Sequence, residues 1–187
     1  LFLPYGSGVI LIKDVKRMVE AKHYEANYRQ DSLTMVNEIS SADVSPELTK
    51  HFRGLRLWMP LKLHGVAPFR SALEEKLLLT RYFHEEVGKM EGMETGPAPD
   101  LSVTYFRFIP KNGDANTFNE ALINLIRTDG RVFLSSTLLK NKFVIRFACL
   151  SFRTHLDRVD LLLQLLRDKI ALLEAKTETA TSADSAN

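Results

Sequence analysis

The sequence predicts a mixed α/β chain, with a compact β-α-β-β-α unit in its second half. Residues 101–110 ("LSVTYFRFIP") alternate as a half-buried strand, and "RVFLSSTLL" and "KFVIRFACLS" read as two more strands around a Lys140-Asn141 turn. "ANTFNEALINLIRTDG" and the leucine-lined stretch from His155 to about Ala175 repeat apolar residues every three or four positions, as helices covering one sheet face do. The first 45 residues, by contrast, hold one hairpin, a short helix and a loop, which cannot bury a sheet face alone.

In chain order, residues 1–3 and 9–12 read as short strands around the turn Tyr5-Gly6-Ser7-Gly8. Lys13-Asp14 opens a short helix through about Glu20. Residues 21–44 keep no period of either kind and set Tyr24 and Tyr28 among charges. A loop of that length in a compact domain is often a lid or a binding loop. Ser45-Pro46-Glu47 is a helix start, with a capping hydroxyl, proline at the first helical position and an acid in the first turn. That helix carries Leu55, Trp58, Leu61 and Leu63 toward a core, kinks at Pro60 and stops at Gly65.

A second helix, from about Pro68 to Met90, places Leu73, Leu77, Thr80, Phe83 and Val87 on one side. Gly92, Gly96, Pro97 and Pro99 punctuate a turn-rich connection to the strand at 101–110. "KNGD" turns the chain into the next helix, which Gly130 stops. The tail "KTETATSADSAN" is too poor in apolar residues to pack and reads as loose.

Composition narrows the function classes. The 187 residues are 45% apolar and 26% charged, ordinary for a globular chain, and no apolar run approaches the roughly 20 residues of a membrane span. A net charge of +2 gives no electrostatic case for nucleic acid. A single cysteine, Cys149, rules out a disulfide within the chain, favours a reducing, cytoplasmic setting, and in its apolar strand reads as a buried inert thiol.

No phosphate-binding glycine loop, no Gly-x-Ser-x-Gly elbow and no His-x-x-x-His pair is present, so spacing alone shows neither a catalytic set nor a metal site. Three stretches remain unusual. "HYEANYRQD" puts tyrosines, which can transfer protons, in the long loop. "HFRGLRLWMPLKLHG" sets Arg53, Arg56 and Lys62 beside the lone tryptophan, where basic side chains can also simply snorkel. "KFVIRFACLSFRT" sets Arg146 between Ile145 and Phe147, and alternation places Val144, Arg146 and Ala148 on one face. An arginine there pairs with a carboxylate, either a structural Asp/Glu or that of a ligand.

These stretches in this order resemble the carboxyl-terminal part of group II pyridoxal-5′-phosphate (PLP) decarboxylases, the aromatic-L-amino-acid and glutamate enzymes among them. The resemblance covers residues 1–174. Its most specific piece is "RGLRLWMPLKLHG", with a glycine seven residues after Trp58. "FNEAL" resembles the family's asparagine-bearing helix, and "KFVIRFACLSFRT" its Phe-x-x-Arg strand.

The resemblance implies a fold type I fragment. Residues 1–60 would be the end of the large PLP-binding domain, with a mobile catalytic loop at about 21–44 and an interdomain helix. Residues 61–175 would be the small α+β domain, and 176–187 a flexible tail. The lysine that carries PLP is expected just upstream of Leu1; Lys13 follows the hairpin's second strand and is not a candidate. Tyr28, with Tyr24 as alternate, matches the loop tyrosine that delivers a proton after CO2 leaves, and Arg146 the strand arginine that contacts substrate carboxylate. Arg56 stands where many members carry lysine, exchanging a point charge for a planar fork.

The implied whole is a cytoplasmic homodimeric carboxy-lyase acting on an L-amino acid, with this chain inactive alone. The rivals are a non-catalytic α+β binding or regulatory module, and a PLP lyase or oxidative deaminase of the same fold.

Overall fold

The computed structural model describes residues 2–3, 6–14, 16–18, 47 and 49–184, with side chains through residue 177. By its contacts the chain divides into two units, residues 3–65 and residues 66–187 with the first two.

In the first unit the anticipated hairpin is not formed. Residues 6–12 contain no strand, and Ile10 and Leu11 are 78% and 93% exposed. The physical reason is the one that makes isolated two-stranded ribbons marginal: no further strand among the described residues offers them a sheet. The helix start after Lys13 is present. Asp14 Oδ1 accepts from the backbone N–H groups of Lys16 (3.1 Å) and Arg17 (3.3 Å), and residues 16–18 are helical. The rest of that helix and the loop at 21–44 lie outside the described residues.

Helix α1 spans Gly54–His64, so it begins well after the expected Ser45-Pro46-Glu47 start. Glu47 is engaged by Arg53 in a two-pronged pair, Nη1 to Oε2 at 2.7 Å and Nη2 to Oε1 at 3.2 Å, which holds the Glu47 carboxyl below its usual range. The helix runs through Pro60 and ends where Gly65, at φ 76°, donates its N–H to Leu61 O at 2.9 Å. Its apolar row is not buried as anticipated: Trp58 and Leu63 are 57% and 71% exposed, because no described layer covers it.

The second unit holds α2 (Ala67–Gly88), β1 (Met93–Thr95), β2 (Val103–Phe108), α3 (Ala115–Asp129), β3 (Ser135–Leu139), β4 (Lys142–Ala148) and α4 (Leu156–Asp184). The strands form one antiparallel sheet in the order β1-β2-β4-β3. β1 lies in the stretch read as a turn-rich connection. Three residues cannot announce a strand by alternation, and only pairing with β2 makes one. Lys140 and Asn141, both at positive φ, form the tight turn whose twist suits the β3–β4 hairpin.

Three helices cover one face of the sheet. Phe83 of α2 stacks on Phe147 (centroids 4.1 Å apart, planes at 15°) and meets Phe106 edge-on. Leu122, Ile123 and Ile126 of α3 and Leu162 and Leu166 of α4 complete a core that is almost wholly inaccessible. α2 also buries Lys76, which the apolar spacing did not single out; its Nζ bonds Glu75 Oε2 at 2.8 Å and Thr154 O. α4 continues to Asp184 instead of ending near Ala175. Lys, Glu, Ala and Thr in that stretch permit a helix once one is nucleated upstream.

The sheet is locked to α3 by two asparagines. The β2–β4 ladder stops at Phe106 opposite Ile145. Beyond it, Asn119 Oδ1 accepts from Phe108 N (2.9 Å) and Asn119 Nδ2 donates to Phe108 O (2.7 Å). Asn116 Oδ1 accepts from Phe143 N at 2.8 Å. At the far end of α3, Asp129 takes Arg131 at 2.6 Å and Lys169 of α4 at 3.6 Å, and its carboxyl falls from the usual 3.8 to about 2, chiefly through the Arg131 hydrogen bonds.

Asn119→Ala leaves both polar groups of Phe108 buried without partners and should cost about 2–4 kcal/mol in urea unfolding. A loss below about 1 kcal/mol would show that the splice is dispensable. A depressed carboxyl contributes stability above its unfolded pKa and loses it as pH falls through the folded one. The stability gap between the parent chain and Asp129→Asn should therefore be full at neutral pH and close between about 3.8 and about 2. A gap independent of pH over that window contradicts this origin.

Candidate functional site

The sheet face opposite the helices collects the polar strand residues. On β4 the alternation sends Phe143, Ile145 and Phe147 to the core and leaves Lys142, Val144, Arg146 and Ala148 on the open face. β2 contributes Val103, Tyr105 and Arg107 to the same face. Registry sets Arg146 directly between Tyr105 on β2 and Ser135 on β3.

Arg146 is half-buried. Its Nη1 lies 3.5 Å from Ser135 Oγ, and no carboxylate among the described residues is within ion-pairing distance. Of the two partners open to it from sequence, a structural Asp or Glu is thus absent from the described residues. A planar fork of donors stays available to a carboxylate. The ring of Tyr105 lies against Gly96, where an added Cβ would fall 2.6 Å from Tyr105 Cε1, so glycine makes room for that ring. Gly96 N–H also donates to Tyr105 O at 2.9 Å.

A second group adjoins this row. Glu94 of β1 meets Lys142 Nζ at 2.7 Å and Arg107 Nε at 3.1 Å. Arg107 Nε is buried and not aligned for a hydrogen bond, while its Nη1 reaches Asn116 Oδ1 at 3.5 Å. The Lys142 hydrogen bond holds the Glu94 carboxyl below its usual range. With Tyr105, Leu139 and Val144 these side chains bound a cavity of about 290 Å³. Arg107, Lys142 and Arg146 against the one carboxylate of Glu94 leave the face positive. The alternation of "VTYFRF" carried the signal for Tyr105 and Arg107, whereas Glu94 and Ser135 join only through strand pairing.

Tyr28 and Tyr24 lie outside the described residues. Arg56 Nη1 sits 3.5 Å from Ser7 Oγ. Cys149 is buried, and burial raises its thiol pKa, as expected of an inert thiol. The buried lysine, Lys76, is spent on Glu75 and Thr154 on the helix-bearing side, and Lys140 and Lys142 are exposed. No helix among the described residues is long and apolar enough to cross a membrane.

No family profile matches the chain. Individual relatives do. An aromatic-L-amino-acid decarboxylase of Bacillus atrophaeus is 32% identical over 179 residues, which is 93% of this chain and 37% of that protein. The chain belongs to the group II PLP-dependent aromatic amino-acid decarboxylase family.

Tyrosine decarboxylase 2 of Arabidopsis thaliana is 28% identical over 152 residues, 79% of this chain and 28% of that one. The crystal structure of Oryza sativa TDC with PLP and tryptamine superposes with a TM-score of 0.70 at 20% identity, covering 87% of this chain and 35% of the other, and shows the shared fold. The chain therefore spans roughly a third of the length of these decarboxylases.

Gly96→Ala should drive the new methyl into the Tyr105 ring and cost about 1–3 kcal/mol. In a Tyr105→Ser background the same change should cost much less. Equal costs in a double-mutant cycle would disprove the packing role of Gly96.

Proposed function

We propose that this chain is the carboxyl-terminal portion of a PLP-dependent carboxy-lyase that converts an aromatic L-amino acid to its amine and CO2. The observation that carries the reading is the 32% identity across 93% of the chain to an aromatic-L-amino-acid decarboxylase. In this reading residues 1–60 end the cofactor domain, residues 61–175 form the small domain, and the cofactor lysine belongs to protein length outside this chain.

PLP, when bound, accepts the electron pair left by cleavage of the bond between Cα and the carboxylate. The tasks of this chain's residues are narrower. Arg146, half-buried and without a described carboxylate partner, grips and orients a carboxylate of the substrate. Tyr28, on the loop, gives its hydroxyl proton to Cα after CO2 has left and helps exclude water. The loop acts across the interface of a homodimer, so the lid of one protomer serves the site of its partner.

In a protein extended to the length of the relatives, Tyr28→Phe should suppress the amine and raise the aldehyde by-product. Arg146→Gln should lower kcat/KM roughly ten- to a hundredfold, as expected for a hydrogen-bonded charge pair. The 187-residue chain alone should leave the visible spectrum of added PLP unchanged. Undiminished amine from the Tyr28 variant would remove Tyr28 as proton donor, and a new visible band with this chain alone would place the cofactor lysine within it.

A further inference from the structure

The structure holds a second cleft, at the end of the sheet where β4 hands over to α4, on the helix-bearing side and away from Arg146. It measures about 310 Å³, near the lower end of the roughly 300–1,000 Å³ typical of small-molecule sites. Its floor is apolar: Leu134, Phe147, Val159 and Leu162 are core residues that each expose only a few per cent of their surface. Its lining includes three arginines, Arg131, Arg153 and Arg158, and no acidic residue.

The carboxylates these arginines meet lie outside the cleft. Arg131 turns Nε and Nη2 to Asp129, at 2.6 and 2.9 Å. Arg158 pairs with Asp157 at 3.5 Å, with both side chains more than half exposed, so water screens that pair. Arg153 stacks its guanidinium over Phe152, 5.2 Å from the ring centroid, and meets no carboxylate among the described residues. Arg153 meets no carboxylate among the described residues and the Arg158 pair is open to water, so both can turn donors to an anion at the mouth of the apolar hollow. Inorganic phosphate would satisfy the arginines but leave the floor unused. A carboxylate carrying a ring-sized apolar body satisfies both.

We propose that this cleft is a binding site for small amphipathic carboxylates, with the apolar body on Leu134, Phe147, Val159 and Leu162 and the carboxylate on Arg153 and Arg158. The site does not depend on the decarboxylase reading, since Arg146, Tyr105 and Arg107 take no part in it.

The test is a titration of the 187-residue chain with 3-phenylpropionate, followed by amide shifts in two-dimensional NMR. Saturable shifts at residues 131–134, 147–154 and 158–162 are expected. Arg153→Ala and Arg158→Ala, at exposed positions that leave the fold intact, should each weaken binding roughly five- to tenfold. The neutral alcohol 3-phenylpropanol and inorganic phosphate should both bind at least about tenfold more weakly than the carboxylate. Shifts that do not saturate or that centre elsewhere would overturn the site. So would arginine variants that bind unchanged, or either comparison probe binding as tightly.

Discussion

Asn119 supplies what the sheet lacks. β2 and β4 part company after Phe106 and Ile145, and the N–H and C=O of Phe108 then face a gap inside the core. A strand in that position would expose two polar groups to an apolar interior, at a cost of about 1–3 kcal/mol each. Asn119 carries one acceptor and one donor group on a single planar amide, and both are used on the same residue. Asn116, one turn earlier, does the same for Phe143 N. α3 is thus joined to the sheet by hydrogen bonds as well as by packing, which fixes its height and rotation.

Much follows from that registration. With α3 held, Leu122, Ile123 and Ile126 share one buried core with Phe108, Ile145 and the leucines of α4, and Asp129 reaches Arg131 and Lys169 at its far end. One face of the sheet is then filled by the helices, and the other carries Tyr105, Arg107 and Arg146 beside the buried Val144. Arg146, Tyr105 and Arg107 are consequences of this division. A strand that must bury Ile145 and Phe147 on one side has to put residue 146 on the other. The open face is where a family of carboxylate-handling enzymes can place a guanidinium without paying for it in the core.

Family membership gives this geometry a context while leaving the chemistry divided. Decarboxylation needs a cofactor, a grip on the substrate and a proton donor. The described residues contribute a candidate for the second. The chain spans roughly a third of the length of its relatives, so the activity of the whole is a matter of what the remainder supplies. The arginine-lined cleft beside α4 is a different feature. Its floor belongs to the small unit's own core, and its chemistry is complete within residues 131–162.

Several features were legible in the sequence because they rest on local rules. The turn at Lys140-Asn141, the stop at Gly130, the helices of the second half and the side on which Arg146 emerges follow from backbone preferences and from periods of 2 and 3.6. The resemblance to decarboxylases was carried by ordered short motifs, and it withstood comparison. Other features needed the folded chain. Pairing created β1 from three residues, residues 9–12 found no strand to pair with among the described residues, and α1 begins at Gly54 rather than near Ser45. A buried Lys76 and an Asn119 bonded to Phe108 both look, in sequence, like polar residues on a helix surface. Sequence period decides which way a side chain points. Only the tertiary structure decides what it meets there, because that depends on segments far apart in the chain arriving at the same place.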